Sequence, residues 1–414
     1  MHLHPSISGL NSDQTVLLQR AADLASTKFA ARAESHDREA SFPADDFADI
    51  FDAGLIAPAI PRDAGGLGLG PYRGDVFTLW MMTASFAGAD LSFARCWEGH
   101  VNSLVLLDSL ATPAQKERWF DGVVKKGQRW VAWSGEPQSA DPNASGEQRQ
   151  KPSGHGTHIR ETAEGFVVSG TKVFATSAGY ADWAILLVNT KGPGGARHAT
   201  ASGEHLIMLG CDLADQSVTF DSSWWDPIGM RGTVSYLARF NDTFIPRGNL
   251  IGSPGQYLRE GWQTCFTPHY ASSFLGAANA AFEQTVKIVK AQQKGNDPFV
   301  QQHLGQCSVN VESGYLWLRQ VAKLWESGHY EEAKLAGVRA RYIIEQLAED
   351  TVKRCIRALG ARSLNKPSPI ERIYRDLSFY VRHDNADHIL ATIGKLVLGT
   401  PGDESFFNDR SGKD

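Results

Sequence analysis

Residues 165–178 read Gly-Phe-Val-Val-Ser-Gly-Thr-Lys-Val-Phe-Ala-Thr-Ser-Ala. β-Branched and aromatic side chains dominate the run from Phe166 to Phe174, and such residues favour extended strands. The glycines and the lysine imitate a phosphate-binding loop, but Lys172 follows Thr171, which reverses the order that such a loop requires. We therefore predict a strand here, within a β-rich middle region.

Short β-type runs surround this strand. Residues 183–188, 205–209 and 234–244 have the same character and are separated by Gly, Pro, Asp and Ser. Several short strands at this spacing indicate a small β-barrel or a sandwich. We assign them to a central β domain at residues 128–255.

Both flanking regions have helical periodicity. In the N-terminal region, residues 1–127, Asn11 offers a capping oxygen, a helix over 44–53 meets a stop at Gly54, and Thr112-Pro113 is a typical helix start. The C-terminal region, residues 256–414, predicts a bundle of four long helices. They are expected near 256–294, 297–328, 331–359 and 370–399. The fold class is therefore α+β, with a helical domain, a small β-barrel and a four-helix bundle.

Composition excludes several classes of protein. The 414 residues are 42% hydrophobic and 21% charged, as in folded globular chains. The net charge of −5 gives no basic excess for a nucleic-acid partner, and no apolar run reaches the roughly eighteen residues of a membrane span. The five cysteines lack metal-site spacing, so we predict no metal and reduced thiols in a cytoplasmic protein.

Four segments, in order along the chain, carry a family resemblance. They are Gly-Glu-Pro at 135–137, the strand end at 170–178, Ile-Gly-Met-Arg-Gly-Thr at 228–233 and Ile-Glu-Arg-Ile-Tyr-Arg-Asp at 370–376. Together they resemble the acyl-CoA dehydrogenase superfamily of flavoproteins over nearly the whole length. The resemblance implies this family's fold, a flavin cofactor and a homotetramer.

The resemblance also implies which residues hold the flavin. Its isoalloxazine ring needs aromatic walls together with hydroxyl or backbone donors. The residues at the matching positions are Trp133, Ser134, Gly135, Phe174, Thr176 and Ser177. Arg362 is a candidate for the cofactor phosphates. The sequences at 290–298 and 359–362 depart from the motifs with which dehydrogenases clamp FAD, so FAD and FMN both stay open.

A second departure concerns the catalytic base. Where dehydrogenases of this family carry a glutamate, this chain has His383-Asp384-Asn385. Aspartate is one methylene shorter, and a misplacement of about 1 Å costs on the order of 100-fold in rate. The His-Asp pair resembles instead the flavin monooxygenases typified by dibenzothiophene monooxygenase, which take reduced flavin from a separate reductase. We therefore predict oxygen transfer to a small apolar or amine-bearing substrate, with His383, Asp384 and His100 as catalytic candidates.

Three alternatives remain at this point. Asp384 could remove the α-proton of an acyl-CoA, with an electron-transfer flavoprotein as partner; the chain could be a nitroalkane-type oxidase; or it could be a non-catalytic binding protein. The substrate itself is not readable from the sequence. Aromatic candidates for the substrate pocket are Trp97, Trp225, Phe266 and Tyr270.

Overall fold

The computed structural model describes residue 7 and residues 9–137, 156–192, 204–383 and 386–399. The N-terminal part is helical, as predicted. Its helices are α1 (Ser12–Leu24), α2 (Ala30–Glu39), α3 (Ala44–Asp52), α4 (Val76–Ala89), α5 (Leu91–Leu110) and α6 (Pro113–Lys126), with a π-helical turn, Ala25–Phe29, between α1 and α2.

Local capping explains where these helices begin and end. Asn11 forms a capping box with Gln14 at the start of α1, and Thr112 forms one with Gln115 at the start of α6. Gly127 ends α6 in the left-handed region, at φ 65°. These groups satisfy backbone N–H and C=O groups that have no partner inside the helix.

The middle of the chain forms two four-stranded sheets. The strands are β1 (Trp130–Trp133), β2 (His158–Glu161), β3 (Gly165–Ala175), β4 (Trp183–Asn189), β5 (Leu206–Asp212), β6 (Val218–Asp221), β7 (Tyr236–Pro246) and β8 (Leu250–Ile251). One sheet has the order β1-β4-β5-β8 and the other β2-β3-β7-β6. Side chains of both sheets, such as Leu186 and Phe240, share one apolar core. The predicted small barrel is therefore arranged as two sheets on a common core.

The C-terminal part is again helical. Its helices are α7 (Gln256–Arg259), α8 (Trp262–Ala291), α9 (Pro298–Glu326), α10 (Tyr330–Leu359), α11 (Pro369–Tyr380) and α12 (Ala386–Leu398). The single helix predicted over 370–399 is wrong, because α11 ends in a 3₁₀ turn, Val381–His383. Arg341 donates to the Val381 carbonyl at 3.2 Å, a carbonyl that a continuing helix would use itself.

The two helical parts are not packed separately. One apolar core runs through both of them, and it includes Trp80 and Phe86 of α4 together with Phe274 of α8 and Ile344 of α10. The boundaries proposed at residues 127 and 255 fall where helices give way to strands and back, and the domain division itself stays a prediction.

None of the described helices is long and apolar enough to cross a membrane. All five cysteines are buried and unpaired. Burial raises the pKa of Cys96, Cys211 and Cys265 to about 12, so these thiols stay protonated at neutral pH.

Candidate active site

The C-terminal end of β3 and the turn that follows it form one wall of the site. The chain leaves β3 through two residues in the left-handed region, Phe174 at φ 50° and Ser177 at φ 63°. Positive φ is uncommon for residues with a side chain, and it clusters at functional sites. The turn leaves the Phe174 ring 55% exposed while Thr176 and Ser177 are buried. We call residues 133–135, 174–177, 224–225 and 233–235 the β wall.

A ladder of hydroxyl groups lies along the β wall. Thr176 Oγ1 is 3.1 Å from Ser235 Oγ, which is 2.8 Å from Thr233 Oγ1, and Thr233 Oγ1 donates to Met230 O at 2.9 Å. The Ser177 backbone N–H donates to Thr233 O at 2.9 Å. Neighbouring strand ends are thus held together by polar groups at the place where the resemblance puts the flavin ring.

Aromatic side chains surround the exposed Phe174 ring. The Trp224 ring centroid lies 4.9 Å away and the Trp225 centroid 6.3 Å away. Trp133 is buried behind the turn, and its Nε1–H donates to Thr176 O at 3.1 Å. Trp133 therefore supports the turn rather than facing a ligand.

Two buried polar atoms of the β wall fit a flavin. Within the described residues, Ser177 Oγ and Trp224 Nε1 have no hydrogen-bond partner, and unsatisfied buried donors are costly. An isoalloxazine ring offers acceptor atoms at its edge and flat apolar faces, which match these donors and Phe174. Gly135 keeps the wall closed, because a Cβ there would lie 2.7 Å from Val173 O.

The last-helix motif holds the 228–233 segment in place. Asp376 Oδ1 accepts from the Met230 N–H at 2.6 Å, and Arg375 Nη1 donates to Ile228 O at 2.8 Å. A Cβ on Gly229 would lie 2.3 Å from Arg375 O, so only glycine fits between the two segments. Burial raises the pKa of Asp376 to about 7. Two motifs about 140 residues apart therefore form one clamp behind the β wall.

The second wall comes from α5, α8 and α11. Glu98 is fully buried; its Oε1 accepts from Tyr380 Oη at 2.5 Å and its Oε2 from Ser273 Oγ at 2.8 Å. Arg95, one turn earlier on α5, has Nη1 at 3.5 Å from Glu98 Oε1. Burial raises the pKa of Glu98, and Arg95 opposes that shift. We call these residues, with Tyr270, Phe379 and His383, the helical wall.

His383 completes the helical wall. It is exposed in the 3₁₀ turn after α11, and its ring centroid lies 5.4 Å from that of Tyr270 and 6.1 Å from that of Tyr380. The imidazole thus lies beside two aromatic rings at the end of the helix.

Two contacts bring the walls side by side. Phe379, next to Tyr380, meets Trp225 edge to face with a centroid distance of 6.0 Å. Cys96, next to Arg95, has its Sγ 3.9 Å from Thr233 O. The hydroxyl ladder and the charged side chains of α5 therefore belong to one site.

Two parts of the chain match models of known protein families. Residues 11–126 match the N-terminal domain of acyl-CoA dehydrogenase, and residues 268–381 match its C-terminal domain. The two matches together cover more than half of the chain, and they include every residue of the helical wall except His383. The chain belongs to the acyl-CoA dehydrogenase superfamily.

Individual members of the superfamily align over most of the chain. A dibenzothiophene monooxygenase of Mycolicibacterium goodii is 24% identical, over 84% of this chain and 86% of its own length. A probable FMNH2-dependent monooxygenase, SfnC, of Pseudomonas putida is 25% identical, over 94% and 96%. The crystal structure of FMN-bound TdsC from Paenibacillus sp. A11-2 superposes with a TM-score of 0.80 at 21% identity, covering 94% of this chain and 99% of that one. This last likeness confirms the superfamily fold.

His100, a catalytic candidate from the sequence, has a structural position in this superfamily member. Its Nε2 lies 2.8 Å from Ile56 O, and its Nδ1 accepts from the Trp130 N–H at 3.0 Å. Both ring nitrogens are thus used by the backbone, and burial lowers the pKa of His100 to about 4. The expectation that His100 donates a proton is therefore wrong on geometry: a neutral ring joins α5 to β1.

Other predicted residues divide in the same way. Trp97 and Phe266 are buried in the core; Trp97 Nε1 donates to Thr83 Oγ1 at 3.1 Å, and Phe266 packs on Trp262. Their contacts are core contacts, whereas Trp225 belongs to the β wall and Tyr270 to the helical wall; substrate binding by all four residues stays a prediction. Arg362 is exposed in the 3₁₀ turn Ala361–Leu364, and within the described residues no hydrogen bond or ion pair joins it to the β wall.

Ser134 and Asp384 are two further residues that the sequence predicted for the site. Ser134 is exposed, and its carbonyl lies 3.5 Å from Lys172 Nζ. Asp384 lies outside the described residues. Glu98, Tyr380 and Arg95 were missed by the sequence reasoning, although two charged residues three positions apart in an otherwise apolar helix were a usable signal.

The sequence showed no metal-site spacing, but the tertiary structure gathers three residues that could bind one. His36 Nδ1 lies 3.1 Å from Asp90 Oδ2 and 3.8 Å from Asp46 Oδ2. Burial would lower the pKa of His36, but the hydrogen bond to Asp90 and the two carboxylates raise it. The two neighbouring carboxyl groups favour the protonated form of His36, and such an ion-paired cluster does not require a metal ion.

Proposed function

We propose that this chain is a flavin-dependent monooxygenase that uses reduced flavin and O2 to oxidise a small organic substrate. The observation that carries the proposal is the position of His383, exposed at the end of α11 beside the rings of Tyr270 and Tyr380. The named relatives support it, because two of them are monooxygenases that align over most of both chains.

The β wall would hold the flavin ring. Phe174 and Trp224 supply flat apolar surface, and Ser177 Oγ supplies a buried donor that has no partner among the described residues. Bound reduced flavin supplies the electrons that activate O2, so that one oxygen atom enters the substrate and the other leaves as water. The residue types fit FMN as well as FAD; FMN is favoured because a relative is named for FMNH2.

The helical wall would handle the proton and exclude water. His383 would transfer the proton, and the Tyr380 ring beside it connects it to Glu98, whose carboxyl accepts from the Tyr380 hydroxyl. Trp225 and Phe379 close the junction between the walls with apolar surface. Asp384, next in sequence to His383, is proposed to orient the imidazole.

The proposal extends to partners. Reduced flavin would come from a separate reductase, and the protein would act in the cytoplasm, where buried unpaired thiols stay reduced. Large apolar side chains are exposed on α9 and α12, among them Phe299, Leu316, Val397 and Leu398. Such surface favours association between copies, and we propose a homotetramer.

A rapid-mixing experiment tests the proposed function. Protein loaded with reduced FMN under nitrogen is mixed with O2, and the return of oxidised-flavin absorbance is followed together with release of hydrogen peroxide. We expect the wild type to delay reoxidation relative to free FMN and His383→Gln to change that delay by about tenfold or more. The matched control is His158→Gln, an exposed histidine of β2, which should behave as wild type.

The opposite outcome is equally clear. If butyryl-CoA bleaches the oxidised flavoprotein while O2 reoxidises the reduced form only slowly, the protein is a dehydrogenase and the monooxygenase proposal fails. If reduced and oxidised FMN both fail to bind, the flavin assignment fails as well.

A further inference from the structure

Arg95 is a largely buried arginine of the helical wall that has few protein partners. Its side chain is 16% exposed, and it lies on α5 between Glu98 of its own helix and the Tyr380 ring, whose centroid is 5.8 Å from Cζ. A guanidinium carries five N–H donors. Within the described residues, its one hydrogen bond is the 3.5 Å contact with Glu98.

Two other largely buried arginines make more hydrogen bonds than Arg95 does. Arg375 donates to both oxygens of Asp37, to Glu371 and to Ile228 O. Arg341 donates to Glu345 and to Val381 O. Most donors of Arg95 therefore have no protein acceptor within the described residues, and the 16% of its side chain that stays exposed leaves them accessible to a ligand.

The carboxyl group of Glu98 does not provide acceptors for the remaining donors of Arg95. Both Glu98 oxygens already accept hydrogen bonds, from Tyr380 Oη at 2.5 Å and from Ser273 Oγ at 2.8 Å. Burial raises the pKa of Glu98, which weakens the negative charge available to Arg95. The other titratable groups near Arg95 are Cys96 on its own helix, Tyr270 and His269 on α8, and Tyr380 on α11. None of these is an anion at neutral pH.

The free donors belong to the proposed active site. Cys96, the next residue, has its Sγ 3.9 Å from Thr233 O on the hydroxyl ladder. Tyr380, beneath the guanidinium, follows Phe379, which meets Trp225. An acceptor bound by Arg95 would therefore sit between the two walls.

We propose that Arg95 binds an oxyanion group of the substrate, so that the substrate class is small organic acids rather than neutral or amine-bearing compounds. A carboxylate, sulfinate or phosphate oxygen pair matches the fork of a guanidinium. This inference rests on the proposed function, because it assigns the substrate of that same site. It adds an anchor that fixes one end of the substrate while the other end faces Phe174.

Calorimetric binding of isosteric probes tests the assignment. Benzoate is compared with benzamide, and propionate with propionamide, on the protein with and without bound FMN. We expect wild type to bind each acid about tenfold or more tightly than its amide. Arg95→Met should abolish this preference while FMN affinity stays unchanged, and Arg95→Lys should retain part of it. Glu98→Gln, which removes the competing carboxylate, should strengthen binding of the acids.

Equal affinity for acid and amide in the wild type, or a preference that survives Arg95→Met, would overturn the assignment. Failure of the proposed function is a separate result, since FMN binding is measured on its own. A protein that binds no FMN yet prefers the acids keeps the Arg95 site and loses the monooxygenase proposal.

Discussion

Two largely buried arginines, one on α11 and one on α5 beside it, are used in opposite ways. Arg375, in the clamp behind the β wall, makes ion pairs with Asp37 and Glu371 and also bonds a carbonyl of the 228–233 segment. Arg95, in the helical wall, makes one long contact with Glu98. The first arginine has its donors filled by the protein, and the second presents most of its donors to the site.

The difference separates structure from function within one family fold. A buried charge whose partners are complete fixes the position of the segments that it joins, whereas one with donors left over lowers stability unless a ligand completes it. The two histidines differ in burial. His100 is fully engaged by backbone atoms between α5 and β1, and His383 stands exposed at the helix end.

The largest effect is expected from Arg375→Met. It leaves Asp37 and Glu371 without their partner and frees the 228–233 segment, so the free energy of unfolding should fall by about 3–5 kcal/mol. Urea unfolding measures this loss. The control is Arg38→Met, because Arg38 is 63% exposed and pairs with exposed glutamates, and it should change stability by less than about 1 kcal/mol. Equal losses in the two variants would show that the clamp is not what holds the segment.

The next effect concerns pH and His100. The pKa of this ring is lowered to about 4 from its ordinary 6.5, so the unfolded chain binds a proton that the folded chain does not. The stabilisation is present above pH 6.5 and is lost as the pH falls toward 4, at about 1.4 kcal/mol per pH unit.

His100→Gln should remove that share of the slope, which is read from unfolding free energies measured at several pH values between 7 and 4.5. At pH 8 the same variant should lose only its hydrogen bonds, about 1–2 kcal/mol. A slope identical to that of the wild type would mean that His100 is not held neutral at the joint.

The smallest effect on stability is expected from Arg95→Met. This change removes one long contact and a buried cation whose donors lack acceptors, so the free energy of unfolding should stay within about 1 kcal/mol of the wild type or rise. Urea unfolding of the ligand-free protein provides the comparison with Arg375→Met. A loss as large as that of Arg375→Met would make Arg95 a second clamp and erase the contrast between the two regions.

Short-range patterns predicted most of the architecture. Capping residues such as Asn11 and Thr112 placed helix starts, and the β-branched run after Gly165 placed β3, because these signals act between residues close in sequence. The break after α11 escaped the prediction. Its physical reason is a hydrogen bond from Arg341, about 40 residues away, to the Val381 carbonyl.

The predictions for the site also succeeded where they depended on residues close in sequence. Phe174, Thr176 and Ser177 were identified because one strand end carries them all, and the structure keeps them together in the β wall. His100 and Trp97 are types that serve cores and sites alike, and only their packing partners showed that both make core contacts. Glu98 and Tyr380 lie 282 positions apart, so no local pattern could join them.

The sequence by itself therefore determined most of the order of helices and strands, the superfamily and the strand end that is predicted to hold the flavin, since each depends on local propensity or on contiguous motifs. Only the tertiary structure decided which of the buried charged side chains have a hydrogen-bond partner for every donor. Whether Arg375 or Arg95 keeps a free donor depends on acceptors that other elements bring within about 3 Å, and side-chain identity does not contain that information.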